Sequence, residues 1–185
     1  MGPLVLIALG FAVASRAGFF NVGLPGQALA GWIAAVWFAL SFPDIPRILM
    51  IPLTVLVAAI AGGLIGLIPG LLRAFLGTSE VIVTIMMNYI GMYLVNMLIQ
   101  RTIYDQVKNQ SMAVASTANL PKAGLDKIFP NSDINVGILI VIAFVILIYV
   151  ILNRTTFGYE LKACGKNPNA SKYAGINAKR NIVLS

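Results

Sequence analysis

Residues 48 to 72 read ILMIPLTVLVAAIAGGLIGLIPGLL, without one charged or strongly polar side chain. A helix crossing a bilayer needs about 20 mostly apolar residues. This run is long enough, and it is continuous rather than alternating, which argues for a helix and against a membrane β-strand. Ala58, Gly62, Gly66 and Gly70 recur every fourth residue. They form a small-residue face that lets a second helix approach closely, which we read as packing within one subunit. Pro69 is expected to bend or end the helix.

Outward from this run the pattern repeats. Apolar stretches are expected to span at about 3–17, 26–42, 80–100 and 136–152 in addition to 48–72. The chain is 59% hydrophobic and 10% charged, with a mean hydropathy of +0.89; an ordinary soluble domain carries about 25% charged residues. The fold class is therefore all-α, a polytopic transmembrane helix bundle forming one domain over 1–185. The net charge of +7 is assigned to loops and anionic lipid headgroups, not to nucleic acid.

The connections differ in kind. Ala17 to Gln27 carries Gly18, Gly23, Pro25 and Gly26 and is expected to break the helix. It is either a cytoplasmic-side turn or a broken helix facing a pathway, because irregular backbone at membrane depth must be buried or line water. Asn21 and Gln27 are its polar groups, serving the turn's own backbone or a solute path. Arg73 to Ser79 is read as a short loop, and about 101–135 as an extracellular excursion. In the fourth span, Thr84, Asn88 and Asn96 are expected to share one broad face. With Asn21, Gln27 and Tyr89 they make up the candidate translocation path, the alternative being interhelical hydrogen bonding.

The last stretch, Asn153 to Ile176 (NRTTFGYELKACGKNPNASKYAGI), is polar and basic. Thr156 is expected to cap a short helix through Ala163, with Gly165 just past its end. Asn167 is expected to cap a second, with Pro168 at its first position and Gly175 beyond its last. Two such short helices cannot stand alone and must lean on a membrane surface or another protein.

The pattern Thr156-x-Gly158-x-x-x-Lys162-Ala163-x-Gly165-x-Asn167-x-x-Ala170-x-x-x-x-Gly175-Ile176 resembles the cytoplasmic loop of permease subunits in bacterial ABC importers, in the branch handling ribose-type sugars, nucleosides and branched-chain amino acids. Phe20-Asn21-Val22-Gly23-x-x-Gly26-Gln27 is similar to a second mark of that family, with Pro25 where the family usually has Glu. Glu80 to Tyr89 looks like the nucleoside-type branch. The resemblance implies that the segment at about 153–180 is cytoplasmic and docks on an ATP-hydrolysing subunit through those pattern residues. It also implies a second permease subunit, a separate extracellular solute-binding protein, residence in the bacterial cytoplasmic membrane, and Mg-ATP bound only on the partner ATPase. Since the resemblance begins almost at Met1 and the apolar run from Asn181 stops at Ser185, the sequence is expected to lack part of both ends.

The charge distribution fits that orientation. With the C-terminal segment inside, Arg16, Arg73, Arg154, Lys162, Lys166, Lys172, Lys179 and Arg180 lie inside, the majority of the 13 Lys and Arg. Arg47, Arg101, Lys108, Lys122 and Lys127 lie outside. The chemistry the chain lacks bears on its energy source. It has no histidine and a single cysteine, Cys164, so no catalytic or metal role is assigned. No G-x-x-x-x-G-K-[ST] phosphate loop is present, so ATP must be hydrolysed by a partner. An ion-coupled secondary transporter or channel is the rival reading. The solute is expected to be a nucleoside or simple sugar, with a branched-chain amino acid as the alternative. Tyr89, Tyr93 and Trp32 are candidates to stack on a base or simply to pack.

Overall fold

The computed structural model describes residues 2–105, 110–111 and 137–185. Helices α1 (Gly2–Arg16), α2 (Leu24–Ser41), α3 (Arg47–Leu76) and α4 (Glu80–Thr102) are followed by a two-residue antiparallel ladder of β1 (Tyr104–Asp105) and β2 (Gln110–Ser111). Then come α5 (Gly137–Arg154), α6 (Thr156–Lys166), α7 (Pro168–Tyr173) and α8 (Ala178–Leu184). Helices α2 to α5 are each long and apolar enough to cross a membrane. The 15 residues of α1 reach only about 22 Å at 1.5 Å per residue, short of a ~30 Å hydrocarbon core. Of the expected excursion at 101–135, Arg101 and Thr102 instead close α4, Ile103 and the β1–β2 ladder follow, and the rest lies outside the described residues.

Three expected boundaries shift. The break after α1 is confined to residues 17–23. Pro25 and Gly26 belong to the first turn of α2, where proline lacks only an N–H that has no helical partner. Pro69 does not end its helix: α3 continues to Leu76. Most of the expected Arg73–Ser79 loop is thus helix, and Gly77 ends it in the left-handed conformation, its N–H donating to the Arg73 carbonyl. An Arg73–Glu80 ion pair at 3.2 Å then spans the turn from α3 to α4.

The small-residue face of α3 does what its spacing implies. A Cβ on Gly31 of α2 would lie 2.9 Å from the Ala58 carbonyl oxygen. Gly62 and Gly66 take the Gln27 backbone and side chain, and Gly70 takes Val183 of α8. On its other side α2 meets α4, where Gly26 lies against Asn88 and Gly91. Ala30, Ile33, Val95 and Ile103 form the apolar centre of this three-helix unit. A second centre, Ala17, Leu152 and Leu161, joins α1, α5 and α6.

Gly31→Val should therefore cost about 1–3 kcal/mol, the usual range for overpacking. Gly63→Ala, whose Cβ would meet nothing within 4 Å, should leave stability undiminished. Thermal unfolding of the solubilised protein compares them; equal melting temperatures would show that α2 and α3 are not locked at Gly31.

Candidate functional site

The break at 17–23 and the polar side of α4 assemble into one unit. Asn21 is buried, and its Oδ1 accepts the Gly23 N–H at 2.9 Å. The Thr84 side chain is wholly buried. Its hydroxyl accepts the Val22 N–H at 3.2 Å and donates to the Glu80 carbonyl at 2.8 Å. These two side chains thereby satisfy backbone groups that the broken helix frees, which in hydrocarbon would each cost several kcal/mol. Phe20 packs edge-on against Phe11 of α1, with ring centroids 5.3 Å apart.

The other path candidates divide. Gln27 lies over Gly66 between α2 and α3, and Asn88 sits half-buried against Gly26. Tyr89 and Asn96 are exposed. The expected common face of Thr84, Asn88 and Asn96 does not hold: eight residues of α-helix drift by about 80°, enough to carry Asn96 out of the contact that holds Asn88.

The polar C-terminal segment is a second unit. Thr155, not Thr156, caps α6: its Oγ1 accepts the Gly158 N–H at 3.2 Å and donates to the Ile151 carbonyl of α5. One hydroxyl thus serves the last turn of one helix and the first turn of the next. Thr156 is the first residue of α6. The helix runs through Ala163 to Lys166, so Gly165 is internal and not a terminator. The reason for a glycine there is tertiary. A Cβ at Gly165 would fall on the Arg16 carbonyl oxygen, and the Gly165 Cα lies 3.1 Å from where a Cβ on Gly18 would sit. Gly18 itself has a φ of 73°. At the other end of α6, a Cβ on Gly158 would fall on the Ile151 carbonyl oxygen.

Helix α7 follows the expected plan. Asn167 Oδ1 accepts the N–H groups of Asn169 and Ala170 at 3.0 and 3.1 Å. Gly175, at φ 79°, ends the turn: its N–H donates to the Lys172 carbonyl and that of Ile176 to the Ser171 carbonyl, the paired pattern of a Schellman stop. Lys162 is engaged, its Nζ 2.7 Å from Asn153 Oδ1. Ala170, Lys166 and Lys172 are exposed, as are Tyr159 and Tyr173, the latter at 95%.

A tie that the sequence reading missed is Asn181. Its side chain is buried, and Nδ2 donates to Glu160 Oε2 at 3.2 Å and contacts Cys164 Sγ at 3.5 Å. It fastens α8 to α6. Beside it, Lys179 lies 5.1 Å from the centre of the Phe75 ring of α3. An amide at the start of an apolar run carries no local signal of such a partner.

Comparison with known proteins covers the whole chain. Residues 1–185 match the family described as branched-chain amino acid transport system / permease component. The chain is 49% identical to the nucleoside ABC transporter permease protein NupB of Lactococcus lactis subsp. cremoris, over 100% of this chain and 52% of the relative. It is 40% identical to the guanosine ABC transporter permease protein NupP of Bacillus subtilis, over 99% of this chain and 52% of the relative. It is 31% identical to the glucose ABC transporter permease protein TsgB13 of Haloferax volcanii, over 95% and 48%. The chain thus spans about half the length of these curated relatives. No solved structure matches.

Thr155→Ala should destabilise the α5–α6 corner by about 1 kcal/mol, the worth of an N-cap, while Thr156→Ala should cost a few tenths at most. Chemical denaturation of the solubilised protein distinguishes them; the reverse order would return the cap to Thr156.

Proposed function

The chain belongs to the branched-chain amino acid transport system permease family, and on that premise we propose that it serves as a membrane-spanning subunit of an ATP-driven importer of nucleosides. The observation that carries the reading is its similarity along its whole length to two permeases named for nucleosides and guanosine, at 49% and 40% identity. The similarity to a glucose permease is lower. Its place is the bacterial cytoplasmic membrane, with α6 to α8 on the cytoplasmic side. Its partners are an ATPase that binds Mg-ATP, a second permease subunit, and an extracellular protein that delivers the solute. Catalysis belongs to the ATPase and not to this chain.

The proposed coupling follows the packing. The exposed side of α6 and α7, carrying Tyr159, Lys166 and Tyr173, meets the ATPase. The opposite side touches the spans at three places: Gly158 on the end of α5, Gly165 on the backbone after α1, and Glu160 with Cys164 on Asn181 of α8. Glycine contacts leave no flexible side chain to absorb a displacement. A movement of α6 therefore reaches α1 and the 17–23 break directly, and α3 through α8. Of the expected coupling residues, Gly158 and Gly165 transmit the movement. Asn167, Gly175 and Ile176 shape α7, and Lys162 holds α6 to Asn153.

Uptake of labelled guanosine, glucose and leucine by the full assembly in proteoliposomes tests the function. Saturable guanosine uptake that needs ATP and the binding protein is expected. Uptake driven by an ion gradient without the ATPase would overturn the ATP-driven reading, and transport of leucine alone would overturn the nucleoside one. In the same assay Gly165→Val should lower uptake at least about tenfold while ATP hydrolysis and membrane insertion persist; normal uptake would remove α6 from the coupling path.

A further inference from the structure

Helix α4 presents two unlike sides. Its packed side carries Thr84, Gly91 and Val95, all buried. Among the described residues its outer side carries Ile82, Ile85 and Ile90 towards the N-terminal half and Tyr89, Tyr93, Asn96 and Gln100 from the middle onward, all exposed, the two tyrosines at 55% and 69%. Steps of three and four residues keep the last four on one stripe of the helix, with Met86 and Met97 exposed at its edges.

The exposed sides of the neighbouring spans are different. On α3 they are Leu53, Leu56, Ile60 and Leu64, and on α5 Ile142, Ile146 and Leu147 with one phenol, Tyr149, and no amide before Asn153. Such largely aliphatic surfaces suit lipid. A stripe of two phenols and two primary amides through the middle and one end of a span does not, because amide groups in hydrocarbon need partners or water. The closest helix contacts in membranes are made at small residues, whereas amides such as Asn96 and Gln100 can also bond across helices, the alternative that the labelling below tests. On α4 the one glycine, Gly91, is already spent against α2.

We infer that the Tyr89–Tyr93–Asn96–Gln100 stripe lines the aqueous solute path and is where α4 holds a neutral solute with an aromatic ring. No charged side chain lies on α4 between Glu80 and Arg101, so the stripe offers nothing for a phosphate or a carboxylate. Tyrosine rings offer faces for a planar base, and the amides offer donors and acceptors for base edges and ribose hydroxyls. Methionines at the edges adapt to bases of different size. The identity of the solute rests on the nucleoside reading above; the placing of the stripe in the solute path rests on its chemistry.

The test uses the full assembly in membranes, with Cys164→Ala as background. Single cysteines at Tyr93 and Asn96, with Leu64→Cys and Ile142→Cys as controls, are treated with a charged methanethiosulfonate that reacts only with thiols in water. Positions 93 and 96 should label at least about tenfold faster than 64 and 142, and guanosine should slow that labelling. Tyr93→Leu should lower guanosine uptake at saturating binding protein about tenfold, the scale of one lost stacking contact, and Tyr93→Phe should retain it. Equal labelling at all four positions would overturn the inference by placing the stripe against lipid or a packed helix. Fast labelling indifferent to guanosine, with guanosine uptake intact, would overturn the solute contact. If the wild-type assembly carries no nucleoside, the proposed function fails instead, and protection of 93 and 96 by the solute it does carry would uphold the stripe.

Discussion

The arrangement depends on backbone meeting backbone where glycine removes the Cβ. Gly165 of α6 rests on the Arg16 carbonyl and Gly18, and Gly158 rests on the end of α5. Gly31, Gly62 and Gly66 admit α2 to α3 and Gly26 admits it to α4. In a membrane the solvent is as apolar as the side chains, so little hydrophobic force drives helices together. Close van der Waals contact must supply the attraction, and it is strongest where main chains approach. The same contacts make the bundle stiff along defined lines, since a glycine junction has no rotamer with which to yield.

A second constraint concerns polar groups. The non-helical stretch at 17–23 frees N–H and carbonyl groups, and the described structure answers with Asn21 and Thr84. These residues were candidates for a solute path on chemical type alone. Their hydrogen bonds give them a structural role, whereas the amides and phenols on the outer side of α4 are exposed. Burial, more than polarity, separates the two sets.

The two units meet at the Gly18–Gly165 junction. The break that Asn21 and Thr84 secure begins where α6 touches the end of α1, and α8 carries a second contact from α6 to α3 through Asn181, Gly70 and Phe75. A polar surface segment and the packed centre of the spans are therefore joined by rigid elements at both ends. Such a connection can transmit a discrete movement because packed interfaces shift between arrangements more readily than they deform.

Much was legible from sequence because it depends on neighbours along the chain. Apolar run length placed α2 to α5, and the four-residue spacing of Ala58, Gly62, Gly66 and Gly70 announced a close helix contact. Asn167, Pro168 and Gly175 marked α7 nearly to the residue, since caps act within one turn. What failed was decided at a distance. Thr155 and Thr156 are equivalent cappers locally; the Ile151 carbonyl of α5 selects the first. Gly165 reads as a helix end, yet it lies inside α6, and glycine stands there because the Arg16 carbonyl occupies the place of a Cβ. Asn88 and Asn96 have the same side chain but lie about 80° apart around α4, and α2 packs against the first while the second is exposed. Sequence thus determined which segments are helices and where most of them stop, through local hydrogen bonding and hydropathy. Tertiary structure alone decided which glycines are junctions and which polar groups are already satisfied, because both depend on what stands opposite.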